Sequence, residues 1–336
     1  GLMGLGAPWW NTLQLVSLKD VDSKAVCNDG SPAAYYWKAG GRARSWFFYL
    51  EGGGWCWDKA SCKERNSKHK TSKGYSQFQH FHTGILAAWS PVGDFNLAYL
   101  PMCSSDAHLG DIGREENSAK LHFRGARTVQ TALRDAAARG GMADGDFVIF
   151  GGGSAGARGA MVHLDRLKED GVLPSGVRLL GYLDSPYYID LPVFPAVSGL
   201  AHNPALQTQA VVDNLLRNAA FVQGNGACDL KDVIGEPWRC AFGEFRMPLL
   251  KTPFLLVASM YDNYQLPLLQ NATCCPFPDP EHRYNDYADK FALRIKQGLE
   301  ALPQVRAGHA GILSSSCYDH HMSKWKEFEQ QTTLGV

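Results

Sequence analysis

The segment from Phe147 to Glu169 joins an apolar run to a helical one through a turn rich in glycine. Phe147 to Phe150 are all apolar or aromatic, which is typical of a buried strand. Gly151 to Gly156 follow, with Ser154 among them, and the next stretch predicts a helix over residues 157–169. A strand that turns tightly into a helix is the repeating unit of α/β folds, so this segment favours that class.

The same alternation recurs along the 336 residues of the chain. Further strands are predicted at Ser45–Leu50, Phe95–Pro101, Val177–Leu183, Pro253–Ser259 and Gly311–Leu313, and further helices at 125–139 and 287–301. This order predicts an α/β fold with a mostly parallel, doubly wound sheet, helices on both faces and inserted loops. No repeat or linker interrupts it, so we expect one domain over residues 1–336, with 190–245 as a candidate lid or insert.

The composition of the chain argues against some kinds of binding partner. The 33 basic and 33 acidic residues cancel, and no long run of one sign occurs. A nucleic-acid-binding protein usually carries a basic excess or patch, so we expect no nucleic-acid partner. No apolar stretch reaches about 18 residues, so we also expect no membrane span. None of these features predicts an oligomeric state.

The nine cysteines are many for a cytosolic enzyme of this length. Zinc sites favour paired C-x-x-C motifs, and none occurs, so we expect no metal site. We interpret the cysteines as disulfides of a secreted protein. The spacings of Cys56 with Cys62 and of Cys228 with Cys240 suit small disulfide loops.

An odd number of cysteines leaves at least one thiol unpaired, and Cys274 or Cys275 is a candidate. Residues 271–273, Asn-Ala-Thr, form a glycosylation sequon, which agrees with secretion.

Gly152 to Gly156 fit the pattern G-x-S-x-G, with Ser154 at its centre. Between a strand and a helix this pattern forms a nucleophile elbow, in which the glycines remove Cβ atoms that would clash. An ordinary turn without a catalytic role is the structural alternative, and the competing functional interpretation is a phosphate-binding loop. That loop would need G-x-G-x-x-G or a following Lys-Ser/Thr pair, and the sequence has neither in clean form.

A serine nucleophile needs a histidine base and an acid that orients the histidine. In α/β-hydrolases these groups follow in the order Ser, acid, His, each at the end of a strand. Asp262 follows the predicted strand 253–259, and His320 follows the last strand.

Other residues compete for both roles. Asp184 also ends a strand, Asp319 adjoins the histidine pair, and His321 competes with His320. Neighbouring residues after a strand usually point in opposite directions, so we expect only one histidine to face Ser154.

Leu50 to Cys56, Leu-Glu-Gly-Gly-Gly-Trp-Cys, follow an early strand. In a serine hydrolase of this class such a loop brings a backbone N–H close to the substrate oxygen. A tight turn beside a disulfide is the alternative interpretation, and the two are compatible.

Several separated stretches together resemble the pectin acetylesterase/Notum family of α/β-hydrolases. The stretches are LEGGGWC (50–56), PMCSSDAHLGD (101–111), LHFRGAR (121–127), GGSAG (152–156), YLDSPYY (182–188), SMYDNYQL (259–266) and SCYDHH (316–321). AVCNDGSPAAYY (25–36) also resembles plant pectin acetylesterases. The resemblance is colinear from about residue 20 to residue 325 and implies a secreted, disulfide-bonded protein.

The resemblance implies catalytic roles for three side chains: Ser154 as nucleophile, Asp262 as acid and His320 as base. It implies oxyanion donors on the backbones of four residues: Gly53, Gly54, Trp55 and Ala155. It implies disulfides Cys27–Cys103 and Cys56–Cys62, to which we add, as guesses, Cys228–Cys240 and a bond from Cys274 or Cys275 to Cys317. His321 stands where plant members carry a cysteine.

The sequence therefore predicts a secreted serine carboxylic-ester hydrolase without a cofactor. The favoured substrate is an O-acetylated polysaccharide such as pectin. The alternatives are a Notum-like deacylase of a lipidated protein or lipid ester, and a non-catalytic carbohydrate- or lipid-binding relative.

Overall fold

The computed structural model describes residues 11–194, 203–217, 219, 235–270 and 285–324. Within this part of the chain nine strands form one sheet in the order β4-β1-β2-β5-β3-β6-β7-β8-β9. The strands are β1 (Asn11–Ser17), β2 (Ala34–Lys38), β3 (Arg42–Leu50), β4 (Phe78–Phe81), β5 (Phe95–Leu100), β6 (Phe147–Gly153), β7 (Arg178–Asp184), β8 (Phe254–Ser259) and β9 (Ala310–Ser315).

Strands β5, β3, β6, β7, β8 and β9 pair with one another in parallel, which confirms the predicted mostly parallel sheet. Strands β1, β2 and β4 add an antiparallel edge that the sequence analysis missed.

Helices flank the sheet, as predicted. The α-helices are α1 (Lys59–Glu64), α2 (Gly125–Gly140), α3 (Ala155–His163), α4 (Arg166–Glu169), α5 (Pro204–Asn214), α6 (Gly243–Arg246), α7 (Gln265–Gln270), α8 (Asn285–Glu300) and α9 (Pro303–Arg306). Short 3-10 helices span Ser67–His69, Gly84–Leu86, Arg114–Glu116, Pro237–Ala241, Met247–Leu249 and Met322–Lys324.

The helix predicted over 157–169 is wrong in its bounds and its continuity. It begins two residues earlier, at Ala155, and α3 and α4 are separate helices. Asp165 lies between them, and its carboxylate accepts hydrogen bonds from the backbone N–H groups of Lys251 and Thr252. This long-range anchor fixes the position of the break.

Strand β3 is buried on both sides. Trp46, Phe48 and Leu50 join a core cluster on one face of the sheet, and Phe47 and Tyr49 join a cluster on the other face. Successive side chains of a strand point to opposite faces, so an unbroken apolar run is expected where helices or loops cover both.

A third apolar cluster lies beyond the carboxyl ends of the strands. It contains Trp55, which belongs to the segment 50–56 (the glycine loop), together with Val211 of α5, Trp238 and Phe242. These last residues belong to the segment 190–245, so its described parts cover the end of the sheet where Ser154 lies. The single domain and the lid stay predictions.

The disulfides Cys27–Cys103 and Cys56–Cys62 are present as predicted. The bond guessed for Cys317 is wrong, because Cys317 carries a free, exposed thiol. Cys240 is disulfide-bonded.

Four residues of the cysteine and sequon predictions lie outside the described residues: Cys228, Cys274, Cys275 and Asn271. No helix in the described part of the chain combines the length and apolarity needed to cross a membrane.

Candidate active site

Ser154 occupies the turn between β6 and α3. Its backbone angles, φ 54° and ψ −121°, lie in the left-handed half of conformational space, which L-residues rarely adopt. A Cβ atom at Gly152 or Gly156 would collide with the backbone carbonyl oxygen of Leu50 on β3. The glycines therefore let β6, α3 and β3 approach closely, as the elbow interpretation requires.

The structure brings the three predicted side chains into one hydrogen-bonded chain. The distance from Ser154 Oγ to His320 Nε2 is 2.7 Å, and that from His320 Nδ1 to Asp262 Oδ2 is also 2.7 Å. The other carboxylate oxygen of Asp262 accepts the backbone N–H groups of Tyr264 and Gln265 at 3.0 and 2.8 Å. The carboxylate is thereby fixed, and it can hold the His320 ring with Nε2 facing the serine.

The surroundings of His320 raise the pKa of its ring. Burial opposes the charged ring, but the charge and hydrogen bond of Asp262, together with the charges of Asp184 and Asp319, outweigh burial and raise the pKa above its usual 6.5. A base with a raised pKa accepts the serine proton more readily, provided that it starts neutral.

The competing residues occupy other positions. His321 stacks on His320 with ring centroids 5.5 Å apart, and of the two rings it is His320 that forms the hydrogen bond with Ser154. Burial, followed by the positive charge of Lys324, lowers the pKa of His321 to about 3 and keeps it neutral. Asp319 accepts the backbone N–H groups of both histidines and shapes the loop that carries them.

Asp184 does not contact either histidine by a hydrogen bond. Its carboxylate accepts hydrogen bonds from Ser185 at 2.8 Å and from the Ser323 backbone at 3.2 Å, and it also bonds the Ser323 hydroxyl. Burial raises its pKa to about 6. Asp184 thus ties the end of β7 to the segment that follows His320.

The glycine loop lies beside Ser154, and Gly53, Gly54 and Trp55 line the same cavity. Gly53 has φ 137° and Gly54 has φ 70°, both unfavourable for residues with a Cβ. A Cβ on Gly53 would lie 2.5 Å from the His69 ring. Ala155, the fourth predicted donor, follows Ser154 directly and opens α3.

Side chains from other segments hold this loop. His108 Nε2 lies 2.9 Å from the Glu51 carbonyl oxygen, and the Glu51 carboxylate accepts the backbone N–H of Met102 at 3.0 Å. The Cys56 N–H donates to the Ser105 carbonyl at 3.1 Å. The loop is therefore fixed at both ends before any ligand binds.

The cavity in front of Ser154 and His320 has a volume of about 570 Å³. Charged and polar side chains supply much of its wall: Glu51, Glu64, Arg65, Asn66, Lys68 and Lys324. Trp57 and Tyr264 add aromatic surface. Such a wall suits a hydrophilic ligand with polar groups along its length.

A family model described as Pectinacetylesterase matches residues 11–334. The chain belongs to the pectinacetylesterase family. Palmitoleoyl-protein carboxylesterase notum2 of Xenopus laevis is 26% identical over 315 residues, covering 90% of this chain and 62% of the relative. Pectin acetylesterase 7 of Arabidopsis thaliana is 26% identical over 253 residues, covering 72% and 60%. The chain spans between half and about three fifths of the length of such curated relatives.

The fold of this pectinacetylesterase family member matches a solved structure described as the Wnt deacylase Notum from Drosophila. The TM-score is 0.77 at 24% identity, with 94% of this chain and 87% of the other covered. At this identity the match establishes the α/β-hydrolase-like fold.

Sequence reasoning missed two tyrosines that surround the histidine. The Tyr264 ring stacks on His320 at 5.1 Å between centroids, and the Tyr188 ring stacks on Tyr264 at 5.9 Å. Both lie in stretches that carry the family resemblance, which is the signal that could have indicated them. Among the described residues, no group of three or more His, Cys, Asp or Glu side chains could hold a metal ion.

Proposed function

We propose that this protein is a serine carboxylic-ester hydrolase that removes acetyl groups from an O-acetylated polysaccharide such as pectin. The observation that carries the proposal is the chain Asp262–His320–Ser154, with both distances at 2.7 Å. The strained turn at Ser154 and the glycine loop beside it support the same activity.

The residues have distinct roles in the proposed reaction. The Ser154 oxygen attacks the ester carbonyl while His320 Nε2 takes its proton, and Asp262 stabilises the resulting imidazolium. Backbone N–H groups of Gly53, Gly54, Trp55 and Ala155 face the developing oxyanion. His320 then protonates the departing alcohol, and it activates the water that hydrolyses the acyl-enzyme.

The cavity supports a hydrophilic alcohol as the leaving group. Its wall carries both acidic and basic side chains, including Glu64, Arg65 and Lys68, which can hydrogen-bond sugar hydroxyls. The disulfides Cys27–Cys103 and Cys56–Cys62 fit an oxidising compartment, so we propose that the enzyme is secreted.

A second candidate is deacylation of a lipidated protein. The relatives named palmitoleoyl-protein carboxylesterases support it. The two candidates differ in the length of acyl chain that the site must accept.

Acetate release from acetylated pectin and acetylated xylan separates these candidates, with wild type measured beside Ser154→Ala. We expect wild type to release acetate and the variant to lose activity by about a thousandfold or more, because no other nucleophile replaces the serine. Activity of wild type on a palmitoleoylated peptide but not on either polysaccharide would favour the second candidate. A folded Ser154→Ala protein with wild-type activity would overturn both.

A further inference from the structure

Arg158 lies one helical turn after Ser154 in α3 and is only 3% exposed. Its guanidinium carbon lies 3.8 Å from the centre of the Trp55 ring and 4.4 Å from that of the Tyr188 ring. Nε donates to the Ala241 carbonyl at 3.0 Å, and Nη2 donates to the Thr208 hydroxyl at 2.7 Å. Rings and hydrogen bonds together fix the guanidinium in one place.

Burying the Arg158 guanidinium in this way is energetically unfavourable. Within the described ranges, no carboxylate forms an ion pair with Arg158, and burial lowers its pKa to about 10. A buried cation without a carboxylate costs far more than an apolar side chain of similar size. The aromatic rings and two acceptors offset only part of that cost.

The two rings that flank Arg158 also lie beside the catalytic residues. Trp55 directly follows Gly53 and Gly54 and lines the catalytic cavity, and the centre of the Tyr188 ring lies 6.2 Å from that of the His320 ring. An acyl group on Ser154 that turned away from the open cavity would enter the space between these rings. The guanidinium already occupies that space.

We propose that Arg158 is a specificity-determining residue. It fills the space between Trp55 and Tyr188 that a long acyl group on Ser154 would need, and so restricts the enzyme to short acyl groups such as acetyl. The inference rests on the proposed function. A longer chain would have to displace a guanidinium held by two hydrogen bonds and two rings, and would leave the Ala241 carbonyl without its partner.

The test is kcat/KM for p-nitrophenyl esters from C2 to C12, measured for wild type, Arg158→Leu and the matched control Arg178→Leu. Arg178 also lies over an aromatic ring, that of Phe147 at 5.5 Å, but at the opposite end of the sheet. We expect wild type to lose at least about tenfold between C4 and C8, since a misfitting methylene group is worth roughly 10-fold or more. We expect Arg158→Leu to raise the ratio of C8 to C2 activity at least about tenfold, and Arg178→Leu to leave it unchanged.

The outcomes separate the inference from the proposed function. If wild type hydrolysed C8 or C12 esters as fast as C2 esters, the proposed role of Arg158 would be overturned and the proposed esterase function would stand. This result does not depend on whether Arg158→Leu folds. A folded Arg158→Leu protein with an unchanged chain-length profile would do the same. No hydrolysis of any ester by wild type would overturn the proposed function and this inference with it.

Discussion

His320 and His321 are adjacent residues whose pKa values are shifted in opposite directions. Asp262 raises the pKa of one, whereas burial lowers that of the other to about 3. The sequence predicted the first as the base from its position after a strand, but it could not separate the two. The distinction depends on a carboxylate 58 residues away and on the loop that Asp319 shapes.

The raised pKa of His320 gives a testable pH dependence. Only the neutral ring can accept the Ser154 proton, so kcat/KM should fall as pH decreases through the raised pKa, with a midpoint above 6.5. In Asp262→Asn the charge that raises the pKa is gone, so the midpoint should move to lower pH and kcat should fall by about 10⁴-fold. Asp319→Asn is the control, since Asp319 contributes less to the shift. An unchanged midpoint in Asp262→Asn would contradict this assignment.

Ser154, Asp262 and Ala155 could be predicted because each follows an apolar strand or a glycine motif. Arg158 and Tyr188 could not be identified in this way. The role of Arg158 comes from contacts with Thr208, Ala241 and Trp55, which lie far away in sequence. Tyr188 contacts Arg158 and Tyr264, and no local pattern indicates these contacts.

The glycine loop shows how one element depends on several others. Its backbone enters positive φ at Gly53 and Gly54, and His69 packs against it so closely that a Cβ on Gly53 has no space. The sequence predicted the loop from its glycines. The supporting contacts of His69 and His108 were not predicted, because a lone histidine carries no positional signal.

Gly53 and Gly54 offer a matched pair of substitutions. A Cβ on Gly54 meets only Arg65 at 3.5 Å, an ordinary contact, whereas one on Gly53 meets the His69 ring at 2.5 Å. Both substitutions place alanine at positive φ, so both carry backbone strain. We expect Gly53→Ala to lower kcat by about 100-fold or more through displaced oxyanion donors, and Gly54→Ala to lower it much less. Equal losses in the two variants, measured with p-nitrophenyl acetate, would contradict the packing argument.

The central strands were predicted because both faces of each are buried, which makes the apolar run continuous. Strands β1 and β4 belong to the edge of the sheet, and their burial alternates or is partial. Both strands mix polar and apolar residues, so in a single sequence they resemble loops and were missed.

At the scale of the whole molecule, the disulfides that join described cysteines act over different distances. Cys27–Cys103 spans 76 residues and ties the N-terminal region to the loop after β5, whereas Cys56–Cys62 spans 6 and stiffens the segment after the glycine loop. The family resemblance implied both pairs. The free thiol of Cys317 was not predicted, since sequence spacing alone does not determine connectivity.

We expect removal of these two disulfides to lower the stability of the protein by different amounts. Removing a bond that closes a long loop should lower the free energy of unfolding by about 4 kcal/mol, and removing the short one by about 2 kcal/mol. We expect Cys27→Ser/Cys103→Ser to lose stability in urea denaturation and to keep its kcat, and Cys56→Ser/Cys62→Ser to lose less stability but more activity. The reverse order would show that the short bond is the main structural one.

The central claim is that Ser154 is an activated nucleophile, and covalent labelling with a fluorophosphonate measures this most directly. Intact-protein mass spectrometry and peptide mapping should find one adduct, on the peptide that contains Ser154. The adduct should be absent in Ser154→Ala and should form far more slowly in His320→Gln, which keeps the fold but lacks the base. A folded wild-type protein that stays unlabelled, or that is labelled at another residue, would contradict the account.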